Sequence, residues 1–401
     1  MTTTPITTTP SIPNPSHGSD GGARPREAAM ATWLPGPLPP DVEQALKRLR
    51  GLGDVHKIAV MPDVHLGRDV CNGVVLATRT RIYPAAVGGD IGCGIAALRF
   101  NAEAAILSDP YRAALLLGAL GRRIPTIRHA RGGWPQLPRA LAEAPLSAPQ
   151  LDARKQREGR SQLGTLGRGN HFIEFQADDE GRLWLMVHTG SRAMGQAIRD
   201  WHVRSAQQDG SSLPWLDSRT PQGRAYLSDM AWALAWAQAN RTRLLEVCAE
   251  LLTTALNITP EADSLIQCAH NLVSHETHPN DGPLWVHRKG AISAQEGEQG
   301  IIPGSMGTVS FHVVGRGEPC SLCSSSHGAG RVLSRRQARD RISTRALHRQ
   351  MGGVWFDHRV ADRLRDEAPE AYKDIRAVMR AQRPLTRVVR ELRPVLCFKG
   401  I

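Results

Sequence analysis

Apolar residues come in short runs separated by Gly, Pro, Asn and Asp, with a few longer stretches at helical spacing. Val42, Leu46, Leu49 and Leu52 share one face, which predicts a helix over 41–52 with Asp41 as its cap. Residues 58–61 and 73–77 predict short strands. Gly88, Gly89, Gly92 and Gly94 predict a tight turn around Asp90 and Cys93. Residues 111–120 carry a helical pattern. Residues 121–160 are polar, basic and rich in Pro and Gly, and read as a surface excursion. Runs at 172–175 and 183–187 predict paired strands joined by a polar turn at 178–181. Helices are expected over 193–208, 226–256, 332–349 and 360–379, and strands over 285–286, 291–294, 309–314 and 395–398. The richest apolar stretch, 230–256, is interrupted by Asn240, Arg241, Arg243 and Glu246, so it reads as a core-packing helix and not a bilayer span. Strands and helices mix without strict alternation and without an internal repeat, which predicts an α+β fold.

Composition narrows the partners. Lys and Arg number 50 against 38 Asp and Glu, a net charge of +12, which favours an anionic partner, nucleic acid foremost. Aromatics at 5% disfavour recognition by rows of stacked bases. Seven scattered cysteines and no secretory signal predict reduced thiols and a cytoplasmic protein. Residues 1–30 are rich in Thr and Pro and lack an apolar period, as expected of a disordered tail, leaving 31–401 as one large domain.

The candidate chemistry is dispersed. Asp90, Cys93, His171, His188 and His270 sit beside glycines or on neighbouring strand candidates, and form a mixed carboxylate, thiolate and imidazole set for a first-row divalent ion. Ligand softness alone leans towards zinc, and one thiolate can bridge two ions. Cys320 and Cys323 form a lone C-x-x-C with no second pair at metal spacing, and read as structural thiols. His327 opens H-G-A-G-R, where small residues let a phosphate approach the backbone and Arg331 can clamp it. A neutral imidazole there can attack an α-phosphate, provided its other nitrogen is held. Pro303, Gly304, Ser305 and Met306 form a second tight polar turn. The carboxylate of Glu174 can accept from the N1–H and amino edge of guanine.

Taken in order, M-P-D-V-H-L-G, V-G-G-D-I-G-C-G, L-G-R-G-N-H-F-I-E, H-T-G-S-R, H-R-K-G-A, I-P-G-S-M-G, H-G-A-G-R, A-Y-K-D-I and the K-G at 399–400 resemble the RtcB family of RNA ligases, over roughly residues 55–401. The resemblance implies central stacked β-sheets flanked by helices in one catalytic domain. It implies an enzyme using GTP and two Mn2+ ions to join RNA ending in a 2′,3′-cyclic phosphate or 3′-phosphate to RNA with a 5′-hydroxyl. Cys93 would bridge the ions, with Asp90 and His171 on one and His188 and His270 on the other. His327 would carry guanylate, with Asp63 orienting its ring. Asn170, His171, Phe172, Ile173, Glu174, His270, Asn271, Pro303, Gly304, Ser305, Met306, Ser310, Gly328, Ala329, Gly330 and Lys399 would line the nucleotide pocket, and Arg192 would meet RNA phosphate. Manganese then replaces zinc as the expected ion, since cellular supply also decides occupancy. One departure stands out. Arg68-Asp69 replaces a pair that normally bears glycine, adding negative charge beside the RNA path and restricting the backbone.

Overall fold

The computed structural model describes residues 27–210 and 213–401. Of the expected tail at 1–30, residues 1–26 lie outside the described residues, and Ala29 begins the first strand. The strands run β1 (Ala29–Thr32), β2 (Val55–His65), β3 (Asn72–Thr78), β4 (Arg81–Ile82), β5 (Gly94–Glu103), β6 (Phe172–Ala177), β7 (Arg182–Thr189) and β8 (Leu216–Asp217). They continue with β9 (Pro260–Ala269), β10 (Asn271–His278), β11 (Gly282–Lys289), β12 (Ala291–Ser293), β13 (Gln299–Ile302), β14 (Ser310–Gly315), β15 (Ser324–Ser326) and β16 (Thr386–Lys399). The helices are α1 (Pro40–Arg50), α2 (Pro110–Arg123), α3 (Arg139–Glu143), α4 (Pro149–Arg154), α5 (Arg192–Val203), α6 (Pro221–Leu256), α7 (Arg335–Arg341), α8 (Thr344–Gln350) and α9 (Ile375–Ala381). This is the expected α+β class, with no helix among the described residues long and apolar enough to cross a membrane.

Two sheets carry the architecture. The larger has the order β13-β14-β16-β6-β7-β5-β9, antiparallel throughout. The smaller has the order β1-β2-β3-β11-β10, with β1 parallel to β2. Ile173, Phe175, Leu185 and Val187 point from the larger sheet into a core shared with Leu116 of α2 and Leu244 and Cys248 of α6. Ile95, Ala97, Trp184 and Met186 fill the opposite face, as the two-residue period of a strand requires. The β6–β7 turn closes on Asp178, whose Oδ1 accepts from the Glu180 and Arg182 amides and whose Oδ2 accepts from Trp184 Nε1 at 2.9 Å.

The 36-residue α6 starts at Thr220, whose side chain accepts from Gly223 N, and stops at Asn257, left-handed at φ 56°. Of the polar residues that interrupt its apolar pattern, Asn240 and Arg241 are buried, while Arg243 and Glu246 pair with each other at the surface. Asn240 accepts from Gly164 N at 2.6 Å and donates to Thr165 O at 3.1 Å. Arg241 Nη1 donates to Gly92 O at 2.8 Å and Thr189 O at 3.1 Å, and so ties down the two turns that flank Cys93 and His188. Arg241→Met keeps the volume but leaves both carbonyls unpaired. It is expected to cost about 2–3 kcal/mol in a urea titration, and an unchanged midpoint would refute this role for Arg241.

Several elements differ from the sequence expectation. Pro39, not Asp41, occupies the cap position of α1, with no side-chain cap, and Asp41 sits in the first turn. The helix expected over 332–349 is two helices, because Ser343 caps α8 with a bond from Ala346 N. The helix expected over 360–379 is a 3-10 stretch at His358–Glu367, a second at Pro369–Ala371, and α9. Pro369 lacks the amide hydrogen that a continuous helix needs there. The excursion at 121–160 contains α3 and α4. Asp69 adopts φ 65°, a conformation natural to glycine, and its carboxylate lies 3.7 Å from Arg199.

Candidate active site

Strand pairing brings the five expected ligands together. β5 lies between β7 and β9, so Gly94 of β5 is paired with both Thr189 and Ala269. That register sets Cys93 beside His188 and His270. Cys93 Sγ lies 3.3 Å from His188 Nε2 and 3.5 Å from His171 Nε2. His188 Nε2 and His270 Nε2 are 3.1 Å apart, and His171 Nε2 is 3.0 Å from Asp90 Oδ2. The donor atoms fall into two groups, Cys93 with His188 and His270, and Cys93 with Asp90 and His171. Cys93 is common to both. A Cβ on Gly190 would collide with the Asp90 carboxylate, which accounts for that glycine.

The tautomers decide what this cluster can hold. His171 Nδ1 faces Leu166 O at 3.1 Å, and His188 Nδ1 faces Asn170 O at 3.0 Å. His270 Nδ1 faces Asn271 Oδ1 at 3.3 Å, an oxygen that also accepts from Gly290 N. These oxygens only accept, so each Nδ1 carries the hydrogen and each Nε2 presents a lone pair to the cluster. Burial, then neighbouring imidazoles, pushes His188 and His270 well below the usual histidine range, which keeps both neutral. Burial and Asp90 push the Cys93 thiol well up. Three lone pairs, a carboxylate and a thiol that would give up its proton to a cation converge here, a donor set that suits divalent cations.

Beside the cluster lies a cavity of about 700 Å³. Asn170, Phe172, Glu174, Pro303, Gly304, Ser305, Met306, Ser310, His327, Gly328, Ala329, Gly330 and Lys399 line it, as does His188. His171, His270 and Asn271, also expected there, stand in the adjoining donor cluster and its supports. Ile173 points into the core from the other face of β6. His327 joins the two regions: its ring centre lies 4.7 Å from that of His270. Its Nδ1 donates to Asp63 Oδ2 at 2.7 Å, and the same oxygen accepts from the amides of His327 and Gly328. Burial raises the Asp63 carboxyl, yet the facing His327 outweighs it and holds Asp63 below its ordinary value. In the neutral tautomer that this bond selects, the hydrogen sits on Nδ1 and the Nε2 lone pair points away from Asp63. Gly290, at φ 64°, leaves room for that ring, since a Cβ would sit 3.0 Å from His327 Cε1. Asp63→Asn is expected to favour the wrong tautomer and slow any reaction at Nε2 by a factor on the order of 10³–10⁴. Equal rates at unchanged metal content would refute the assignment.

Some of the candidate side chains already have partners within the protein. Arg331 lines the cavity, but its guanidinium is engaged within the protein. Its donors go to Leu333 O, Glu367, Tyr372 and Asp366 O, which bind the turn to the 358–372 region. The Arg192 guanidinium donates to Thr126 O and Thr165 Oγ1. Cys320 is exposed and Cys323 buried, and neither belongs to a metal grouping among the described residues. Glu367, Tyr372 and Arg335 also line the cavity and were not singled out as site residues. Tyr372 stood within the quoted A-Y-K-D-I, whereas Glu367 carried no local signal.

Comparison with known proteins assigns the class. The chain is 39% identical over 403 residues to RNA-splicing ligase RtcB1 of Escherichia coli, covering 93% of this chain and 98% of that protein. It is 33% identical to RNA-splicing ligase RtcB of Mycobacterium bovis, covering 87% and 98%. It is 30% identical to tRNA-splicing ligase RtcB of Nanoarchaeum equitans, covering 86% and 88%. The chain is thus an enzyme of the ligase class. A family model described as tRNA-splicing ligase RtcB matches residues 45–148 and 141–400, and the chain belongs to the RtcB family.

Proposed function

We propose that this enzyme joins RNA ending in a 2′,3′-cyclic phosphate or 3′-phosphate to RNA with a 5′-hydroxyl, using GTP, two Mn2+ ions and a His327–guanylate intermediate. The observation that carries the reading is the position of His327. Its free Nε2 stands where the lone-pair cluster meets a nucleotide-sized cavity. Asp90, Cys93 and His171 would hold one cation, and Cys93, His188 and His270 the other. When bound, such ions screen phosphate charge and acidify water for opening a cyclic end. His327 Nε2 attacks the α-phosphorus of GTP and pyrophosphate leaves. Asp63 keeps the ring aligned and stabilises its positive charge. The RNA 3′-phosphate then attacks the histidine-bound guanylate, releasing His327 and capping the RNA end with guanylate. Finally the 5′-hydroxyl attacks that phosphorus and GMP leaves. The net charge of +12 suits an RNA partner, and seven free cysteines among the described residues suit a cytoplasmic setting.

The test is ligation of a cyclic-phosphate RNA to a 5′-hydroxyl RNA with GTP and Mn2+ omitted in turn. Joined product only with both supports the proposal. Opening of the cyclic end without GTP, and no joined product with it, would instead define a phosphohydrolase.

Glu174 gives the reading a pH signature. Burial pushes its carboxyl up to about 8, against the pull of the Gln176 hydrogen bond and Lys399. The empty pocket therefore holds a proton on Glu174 at neutral pH, while guanine's two donors need the ionised form. Guanosine affinity is expected to rise about tenfold per unit between pH 6 and 8 and then level off. Glu174→Gln should flatten this profile. A flat profile in the unaltered protein would rule out Glu174 as the acceptor.

A further inference from the structure

Glu367 ends the 3-10 stretch His358–Glu367 and is buried in the cavity wall. Its Oε2 accepts from Lys399 Nζ at 2.6 Å and from the Tyr372 hydroxyl at 2.9 Å. Its Oε1 accepts from Arg335 Nη1 at 2.6 Å and from Arg331 Nη1 at 3.3 Å. The donors come from the end of β16, the turn after His327, the first turn of α7 and the A-Y-K-D-I run. Burial raises the Glu367 carboxyl, but Lys399 and Arg335 more than reverse this and keep it ionised. A carboxylate that gathers four donors from four stretches around one pocket fixes where each of them stands.

The donor that matters is Lys399. Its ammonium lies 5.8 Å from the centre of the Phe172 ring and within electrostatic reach of Glu174. An ammonium has three N–H groups, so the bond to Glu367 leaves two for a ligand. Two buried carboxylates compete for this one cation. While Glu367 holds it, Lys399 is kept from bonding to Glu174, whose Oε1 accepts from the neutral Gln176 amide at 2.7 Å.

We propose that Glu367 is a positioning residue for base recognition, anchoring Lys399 so that Glu174 stays available as an acceptor and the ammonium meets the base's carbonyl edge. The proposal rests on the guanylate reading of the cavity. Guanine presents O6, an acceptor, beside N1–H and an amino donor, and so matches an ammonium beside a carboxylate. Adenine places an amino donor where O6 would be, and a fixed ammonium opposes it. Without the Glu367 charge, Lys399 turns to Glu174 and forms an ion pair that occupies the acceptor.

The experiment measures GMP and AMP binding by calorimetry for the unaltered enzyme, Glu367→Gln and Glu367→Asp, each with manganese and across pH 6–8.5. Glu367→Gln is expected to weaken GMP binding at least tenfold, to lose most of the preference over AMP and to abolish the pH dependence set by Glu174. Its manganese content should be unchanged. Glu367→Asp, which keeps the charge and retracts it by one methylene, should recover part of the preference. GMP binding by Glu367→Gln within twofold of the unaltered enzyme, with the preference kept, overturns the proposal. If Glu367→Gln does not fold, Glu367→Asp carries the comparison, and an undiminished preference there overturns it equally. An unaltered enzyme that does not prefer GMP to AMP overturns the guanylate reading itself and this proposal with it.

Discussion

His327→Ala enzyme incubated with α-labelled GTP and manganese is expected to take up no label and to join no RNA ends. The loss should be on the order of 10⁵-fold or more, as when a covalent nucleophile is removed. The substitution should leave the fold nearly intact, because the ring is only partly buried and the turn is held independently. Lys373 N donates to Gly330 O, and Val332 N to Ala371 O. Metal content should also persist, since His327 is in neither donor group. RNA already capped with guanylate at its 3′ end bypasses the histidine and should still be joined. Label that survives on the variant would place the nucleophile elsewhere.

The second large effect falls on Cys93. Its sulfur belongs to both donor groups, so on the two-ion reading proposed above Cys93→Ala removes a ligand from both ions at once. Bound manganese, measured by mass spectrometry after desalting, is expected to fall from two per chain to fewer than one. Ligation should drop by a factor on the order of 10³ or more, because charge stabilisation and water activation vanish together. Cys248→Ala is the control: that thiol lies in the α6 core and should cost stability but not metal. Full manganese occupancy in Cys93→Ala would refute the bridging role.

Much of the candidate site could be read from the chain because its donors stand beside glycines, which a plain strand or helix has no reason to contain. Asp90 and Cys93 in their glycine turn, His188 ahead of Gly190 and His327 ahead of Gly328 each broke the apolar period locally. Residues acting through distant partners gave no such sign. Arg241 looked like an interruption in a core helix, yet it spans from α6 to the carbonyls of Gly92 and Thr189. Glu367 was one acid among several in a basic stretch, and its meaning came only from Lys399, 32 positions away. The fold was legible where alternation was clean, as in β6 and β7. It was illegible in β16, where only 395–398 stood out within Thr386–Lys399. Arg387, Arg390 and Arg393 hid the rest of that strand. Arg390 in fact covers Trp184, 4.8 Å from its ring centre, and pairs with Asp178 at 3.3 Å. β9 went unseen because it is an edge strand with little apolar burial.

His188 has two neighbours to satisfy: its ring nitrogen is one of the converging donors, and its side chain lines the cavity proposed for the nucleotide. If both positions are filled as proposed, their occupancy is linked through this ring. Whatever factor by which manganese sharpens the grip on guanylate, guanylate must return to manganese, as thermodynamic reciprocity demands. On the proposed reading, scarcity of either loosens the hold on both, and the enzyme would register the supply of ion and nucleotide as one joint signal.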